Sequence, residues 1–284
     1  MKTVMEVITA TAEYFKKNDV ESPRLNIEHL LAHTLGKKRM DLYVEFDRAL
    51  TEPELAPLRD LVKRRAGGEP LQHLLGTVEF LTHTLKCDRR ALIPRPETEQ
   101  LCELLCAEGK DESCAWKSGR IADVGTGSGC IALALAAAFP EATVTAVDAS
   151  DEAIALAREN AERLSLTERV TFSKSDLLSA VDGPFELIVA NLPYIPSTEV
   201  AGLQREVLRE PMQALDGGAD GLDLVRRLVA ECATKLASGG RLALELHHDQ
   251  PTGLAAELSA LNFRDTKTVK DYQGRERFLF TTHG

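Results

Sequence analysis

Basic charge, aromatic bulk, paired cysteines and long apolar runs are all scarce in this chain. Its 284 residues carry 34 Lys plus Arg against 44 Asp plus Glu, a net charge of −10. Nucleic acid repels such a chain at long range, which disfavours non-specific binding to DNA or RNA. Aromatic residues make up only 5%, so aliphatic side chains must build the core. The six cysteines (Cys87, Cys102, Cys106, Cys114, Cys130 and Cys232) form no C-x-x-C pair, so zinc-ribbon and thioredoxin spacings are absent and reduced, packed thiols are expected. No apolar run approaches the ~20 residues of a membrane span. The opening Met1-Lys2-Thr3-Val4-Met5-Glu6 lacks a basic-then-apolar leader pattern. A cytoplasmic protein without a membrane segment is therefore expected, and nothing demands more than a monomer.

What is present divides in two. The first ~80 residues follow helical periodicity. Val4, Ile8 and Phe15 share one stripe, with Val7 and Tyr14 nearby. Ser22-Pro23 predicts a helix start with a hydroxyl N-cap and proline in the first turn. Ile27, Leu30, Leu31 and Leu35 form its apolar face, and Gly36 its stop. Thr51-Glu52-Pro53-Glu54 is a capping box ahead of Leu55, Leu58, Leu61 and Val62. Residues 1–80 hold 12 Lys/Arg and 13 Asp/Glu, a net of −1, so the remaining −9 lies further along. Gly67-Gly68-Glu69-Pro70 breaks the pattern, and Phe80 to Ile93 reads as a hairpin connector. Ile93-Pro94-Arg95-Pro96 is stiff, because each proline fixes its own φ and restricts its predecessor. From about residue 120 strands alternate with helices: strands at Arg120–Val124, Thr143–Val147, Val170–Ser173, Phe185–Ala190 and Arg241–Leu246, with helices at Cys130–Ala138 and Asp151–Leu164. That alternation predicts an α/β fold with a parallel sheet covered by helices on both faces.

The sharpest motif is Asp123-Val124-Gly125-Thr126-Gly127-Ser128-Gly129, which follows one strand and opens a helix. Glycines let the backbone turn tightly and approach a ligand, and the helix N-terminus presents N–H groups to it. A dinucleotide turn reads G-x-G-x-x-G. Here the third glycine comes one position early, and the pattern resembles the S-adenosylmethionine loop of doubly wound methyltransferases. Asp148 ends the next strand, where a carboxylate can accept both ribose hydroxyls of a nucleoside. Ser175-Asp176-Leu177 follows the third strand; Asp176 is a candidate acceptor for an adenine amino group and Leu177 a surface for the ring, with a turn-forming acid as the plain alternative for Asp176.

Asn191-Leu192-Pro193-Tyr194 follows the strand Phe185–Ala190 and so faces the same crevice at the strands' carboxyl ends. An Asn carbonyl oxygen and a backbone carbonyl make two acceptors, which suits a planar –NH₂ group. A neighbouring Tyr offers a flat face to position it. An amide nitrogen is a poor nucleophile because its lone pair is delocalised. Two acceptors can orient it and favour loss of that delocalisation, so positioning supplies much of the rate.

At this point the chain resembles the HemK/PrmC-type methyltransferases, which methylate the N5 amide of glutamine in peptide chain release factors. Similar segments are Ser22-Pro23-Arg24-Leu25, Gly68-Glu69-Pro70-Leu71-Gln72, Leu92 to Glu99, the glycine turn, Glu210-Pro211 with Ala214-Leu215, Gly217 to Leu222 and Asp271 to Arg277. The resemblance implies a helical N-terminal substrate-recognition domain at 1–78, a β-hairpin connector at 79–95 and a Rossmann-like S-adenosylmethionine-dependent domain at 96–284. It implies that Gly125, Thr126, Gly127, Ser128, Gly129, Asp148, Leu177 and Asn191 hold the cofactor, and Asp123 and Asp176 join them as candidates from their places in the two motifs. It implies that Asn191, Leu192, Pro193 and Tyr194 hold the glutamine of a Gly-Gly-Gln loop in a class I release factor, modulating translation termination. Two departures stand out: the family's Asn-Pro-Pro-Tyr has Leu192 at its second position, and the glycine of Leu-Glu-Ile-Gly is replaced in Leu244-Glu245-Leu246-His247.

Other features read more plainly. His29 and His33 are spaced for zinc but lack the glutamate of H-E-x-x-H and fall opposite the apolar face, so a solvated helix face and no metal are expected. His247-His248 reads as a strand-end pair, and no third ligand nearby in sequence is expected. Lys37-Lys38-Arg39 and Lys63-Arg64-Arg65 read as solvated helix ends, or as contacts to a release factor. Arg95 is a candidate partner for the cofactor's carboxylate. Adenine-N6 methylation of DNA is the alternative chemistry for the tetrapeptide, but a flipped base needs a basic groove and a recognition region that this chain lacks. A nicotinamide-dependent oxidoreductase or a non-catalytic nucleoside-binding module is the third reading; the Tyr-x-x-x-Lys pair that would support a short-chain reductase is absent, since Tyr14, Tyr43, Tyr194 and Tyr272 are followed at that spacing by Asn18, Asp47, Thr198 and Glu276.

Overall fold

The computed structural model describes residues 2–112 and 114–284. They form two compact units: Met1–Thr77 with Gln204–Arg209, and Val78–Leu203 with Glu210–Gly284. In the first, helices α1 (Val4–Lys17), α2 (Pro23–Leu35), α3 (Asp41–Val44), α4 (Glu52–Ala66) and α5 (Leu71–Leu75) enclose a core of Val4, Ile8, Phe15, Ile27, Leu30, Leu31, Leu42, Leu50 and Leu58. The capping box forms: Glu54 accepts from the Thr51 backbone N–H at 2.8 Å and from its hydroxyl at 2.9 Å, and these bonds with Arg48 hold the Glu54 carboxyl down at about 2. Ser22 does cap α2 in position but not with its hydroxyl. It sits at φ 46° with no side-chain capping bond, and Asn26 Nδ2 instead ties back to the Glu21 and Ser22 carbonyls.

Of the basic runs, Lys38, Arg39, Lys63 and Arg64 are exposed as expected, but Arg65 is not. Arg65 is buried; its guanidinium donates to Asn26 Oδ1 (2.7 Å) and to Glu206 (2.7 Å) of the inserted segment, while Arg64 pairs with Glu69, Arg39 with Glu28 and Lys37 with Glu45. Burial accounts for the Arg65 contacts, since a buried guanidinium needs partners for its fixed fork of donors. His33 is exposed as expected, but His29 is half-buried, and burial with the nearby Arg39 lowers its pKa.

The second unit begins with a hairpin, β1 (Thr77–Phe80) and β2 (His83–Lys86), followed by α6 (Pro96–Glu108). A seven-stranded sheet follows: β3 (Arg120–Val124), β4 (Thr143–Asp148), β5 (Val170–Lys174), β6 (Phe185–Ala190), β7 (Leu236–Glu245), β8 (Phe263–Lys270) and β9 (Glu276–His283), in the order β5-β4-β3-β6-β7-β9-β8. Helices α7 (Cys130–Ala138), α8 (Asp151–Arg163), α9 (Ser197–Val200), α10 (Asp223–Lys235) and α11 (Pro251–Leu258) connect them.

Strand periodicity sorts the side chains between two cores. Ile121, Val144, Ala146, Leu187, Val189 and Ala243 face α6, α7 and α8, whereas Ala122, Val124, Val147, Ile188, Leu242 and Leu244 face α10 and α11. The expectation of an all-parallel sheet needs one correction: β3 to β7 are parallel, but β9 pairs antiparallel with both β7 and β8. The turn at Asp271–Arg275 is too short for a crossover, so β9 must return antiparallel to β8. No helix among the described residues is long and apolar enough to cross a membrane.

Candidate active site

The parallel strands bring the predicted segments to one end of the sheet. β3 lies between β4 and β6, so the turns after all three strands share a rim. A cavity opens there. Gly125 to Ser128, Asp148, Asp176, Leu177, Asn191, Leu192 and Pro193 line it, together with Arg90 to Arg95, Thr98, Cys130 and Pro211.

The glycine turn is anchored from below. Gly125 and Thr126 N–H both donate to the Val147 carbonyl at 2.9 Å, and Gly127 N–H donates to Asp148 Oδ2 at 2.9 Å. The other Asp148 oxygen accepts from Ser150 N–H at 2.9 Å. Each oxygen keeps a further lone pair, as a diol ligand requires. Burial raises the Asp148 pKa against the pull of these N–H donors.

Asp123 does not reach the cavity. It is wholly buried, accepts from Thr126 Oγ1 (2.7 Å) and Ala132 N–H (3.0 Å), and thereby joins the turn to α7. Burial pushes its carboxyl up to about 7. Gly129 is also outside the lining; it is the left-handed N-cap of α7, packed against Ala157. Asp176 does line the cavity, but its carboxylate is paired with Arg227 at 2.7 Å. Adjacent Leu177 is buried at φ 51°.

The tetrapeptide is braced on both sides. Leu192 is buried against the turn. Ile195 N–H donates to the Leu215 carbonyl (3.1 Å), and Gly217 N–H returns to the Ile195 carbonyl (2.9 Å). Buried Gln250 donates from Nε2 to the Tyr194 carbonyl at 3.0 Å and to the Asp220 carbonyl at 3.1 Å. Gly221, at φ 78°, lies so near that carbonyl that a β-carbon would collide with it. Tyr194 itself is not part of the lining. Its ring lies 6.3 Å from that of His247 and 6.0 Å beneath the Arg277 guanidinium, and burial raises its hydroxyl's pKa.

Two residues at the site escaped the sequence reading. Asn191 Nδ2 donates to Thr98 Oγ1 (3.0 Å), whose hydroxyl donates to Glu245 Oε2 (2.8 Å). The signal was the acid in Leu244-Glu245-Leu246: a carboxylate within an apolar strand end must find a partner. Arg95 lines the cavity and pairs with buried Glu210 at 2.5 Å, while the other Glu210 oxygen accepts from Ile93 N–H at 2.8 Å. His247 and His248 do have a third potential ligand, the adjacent Asp249. The three could hold a metal ion, although His247 Nδ1 lies 2.5 Å from Asp249 Oδ1.

Comparison with known proteins agrees with this architecture. Residues 6–76 match the PrmC N-terminal domain, and residues 99–220 match the methyltransferase small domain. Among solved structures, a 16S rRNA methyltransferase of T. thermophilus solved with AdoMet and guanosine has a TM-score of 0.52 at 20% identity, covering 73% of this chain and 50% of that one. A methyltransferase from Pyrococcus furiosus has 0.51 at 20% identity, covering 70% and 88%. These show the shared fold. Release factor glutamine methyltransferases from Chlorobaculum tepidum and Deinococcus radiodurans are 40% and 42% identical, over 98% and 96% of this chain and 96% of each relative. With both domains matched and nearly its whole length aligned to such relatives, the chain belongs to the family of release factor glutamine methyltransferases.

Proposed function

We propose that this enzyme transfers a methyl group from S-adenosylmethionine to the side-chain amide nitrogen of a glutamine in a class I peptide chain release factor, within the Gly-Gly-Gln motif that the family resemblance implies. The observation that carries this reading is the Asn191 carboxamide: with Nδ2 engaged by Thr98, Oδ1 is the atom left for a substrate N–H. The Leu192 carbonyl is the second proposed acceptor.

The cavity's chemistry fits the methyl donor. A turn without β-carbons at Gly125 and Gly127, a carboxylate at Asp148 and an apolar surface at Leu177 suit a nucleoside. Bound S-adenosylmethionine supplies a methyl on a sulfonium, so the glutamine nitrogen's lone pair forms the N–C bond as the C–S bond breaks and the nitrogen then sheds one proton. Asp123 and Gly129 belong under the turn and secure it. Tyr194 belongs behind the tetrapeptide, with its carbonyl held by Gln250. Arg95 lines the cavity, braces the Ile93–Pro96 wall through Glu210, and is the proposed partner of the donor's carboxylate.

The organisation proposed is a release-factor-binding domain at 1–78, a connector at 79–95 and a catalytic domain at 96–284. The net charge of −10 supports a protein substrate over a nucleic acid, and a monomer suffices because every proposed site residue lies on one chain. The test is incubation of a release factor and, separately, adenine-containing DNA with enzyme and methyl donor. Fragmentation mass spectrometry should locate one added CH₂ on the glutamine side chain and none on DNA. Modification of DNA alone would contradict the reading.

A further inference from the structure

A primary amide can present either a donor or an acceptor to a neighbour, and the two ends of Asn191 differ little in shape. Only one orientation accepts from a substrate –NH₂. The geometry contains a device that chooses between them. Thr98 has one hydroxyl hydrogen, and it is spent on Glu245 Oε2 at 2.8 Å. What Thr98 offers Asn191 is therefore a lone pair, which only the Asn191 –NH₂ can use, at 3.0 Å. Thr98 and Glu245 are 2% and 1% exposed, so water is shut out of the line.

We infer that Glu245 and Thr98 are positioning residues that set the polarity of the Asn191 carboxamide, aiming its oxygen at the substrate amide. The inference rests on the proposed role of Asn191 and goes beyond it by naming what orients that residue.

The environment of Glu245 sharpens it. Oε1 is buried and has no hydrogen-bond partner among the described residues. Burial pushes this carboxyl up to about 7; Arg277 and Arg95 favour its charge, and Glu97 opposes it. Tyr194, Cys102 and Cys130, also within its field, are kept neutral by burial. A proton on Glu245 Oε2, or the –NH₂ of a glutamine placed there, reverses the line: it donates to Thr98, the threonine hydrogen turns to Asn191, and the carboxamide presents –NH₂ to the cavity, where donor then meets donor.

The experiment measures kcat, KM for the release factor and S-adenosylmethionine affinity for Glu245→Gln, Thr98→Val and Thr98→Ser, from about pH 6 to about pH 8.5. Glu245→Gln and Thr98→Val should lower kcat about 10- to 100-fold, the range for partners that orient a contacting residue, with a much smaller effect on donor affinity. Thr98→Ser, which keeps the hydroxyl, should restore most of the rate. Wild-type kcat should fall as pH drops through about 7, whereas Glu245→Gln should be flat there. If Glu245→Gln does not fold, the Thr98 pair decides alone. Wild-type rates and pH profiles in Glu245→Gln and Thr98→Val would overturn the inference. If Asn191→Ala is slow while these variants are not, only the positioning claim fails; if Asn191→Ala is itself fully active, the underlying reading fails.

Discussion

The Leu192 side chain lies over Gly125: a β-carbon at Gly125 would come within 2.9 Å of Leu192 Cδ2. The Asn191–Tyr194 segment and the glycine turn thus pack together, after neighbouring strands β6 and β3. Proline at position 192, usual in the family, fixes φ. Leucine gives that up and contributes a buried side chain against the turn instead.

That contact predicts a coupling. Gly125→Ala combines strain at φ 74° with a clash, and should weaken S-adenosylmethionine binding and lower stability by about 1–3 kcal/mol. Leu192→Ala removes the clash but not the strain. A double-mutant cycle followed by calorimetry should show a coupling of at least ~0.5 kcal/mol. Strict additivity would mean that the contact is not energetically linked.

Asp148 holds the turn and is the proposed acceptor for a nucleoside. Asp148→Ala releases Gly127 and Ser150 N–H and removes the acceptor. A charge-assisted hydrogen bond is worth ~1.5–3 kcal/mol, so donor affinity should fall by about 10- to 150-fold in isothermal titration. An unchanged dissociation constant would remove Asp148 from the site.

Buried carboxyls predict the pH dependence of stability. Asp123 is pushed up to about 7, and unfolding returns it to the ordinary carboxylate range near ~4. Between those values the native state binds more protons than the unfolded one. Its contribution is therefore fully present at low pH and lost as pH rises towards about 7, with a slope of at most ~1.4 kcal/mol per pH unit. Asp123→Asn should flatten stability against pH between about 5 and about 7 in urea titrations. Identical slopes for the two proteins would show that Asp123 does not titrate there.

Much of this architecture is local and so was legible in the sequence. The strand–turn–helix of Arg120 to Ala138, the capping box at Thr51 and the tetrapeptide after β6 each lie within about 20 residues and follow periodicity and backbone sterics. What was hidden depends on tertiary approach. Thr98 and Glu245 are 147 positions apart, and no spacing rule joins them. The pairing of Arg65 with Glu206 spans 141 positions and draws one residue of an otherwise exposed run into the interior. The Asp176 carboxylate was open to a nucleoside on paper, but α10 brings Arg227 to it. Tyr194 occupies the expected backbone position, yet Gln250 and Gly221 behind it settle where its carbonyl goes.

The central claim is that the oxygen of Asn191 grips the amide that receives the methyl. The direct measurement is single-turnover methylation of a release factor by Asn191→Ala, alongside its S-adenosylmethionine dissociation constant. Binding should be nearly that of the wild type, while the methyl-transfer rate falls by ~10²-fold or more, the scale for loss of one positioned transition-state hydrogen bond. A variant that binds the donor normally and transfers at the wild-type rate would contradict the account.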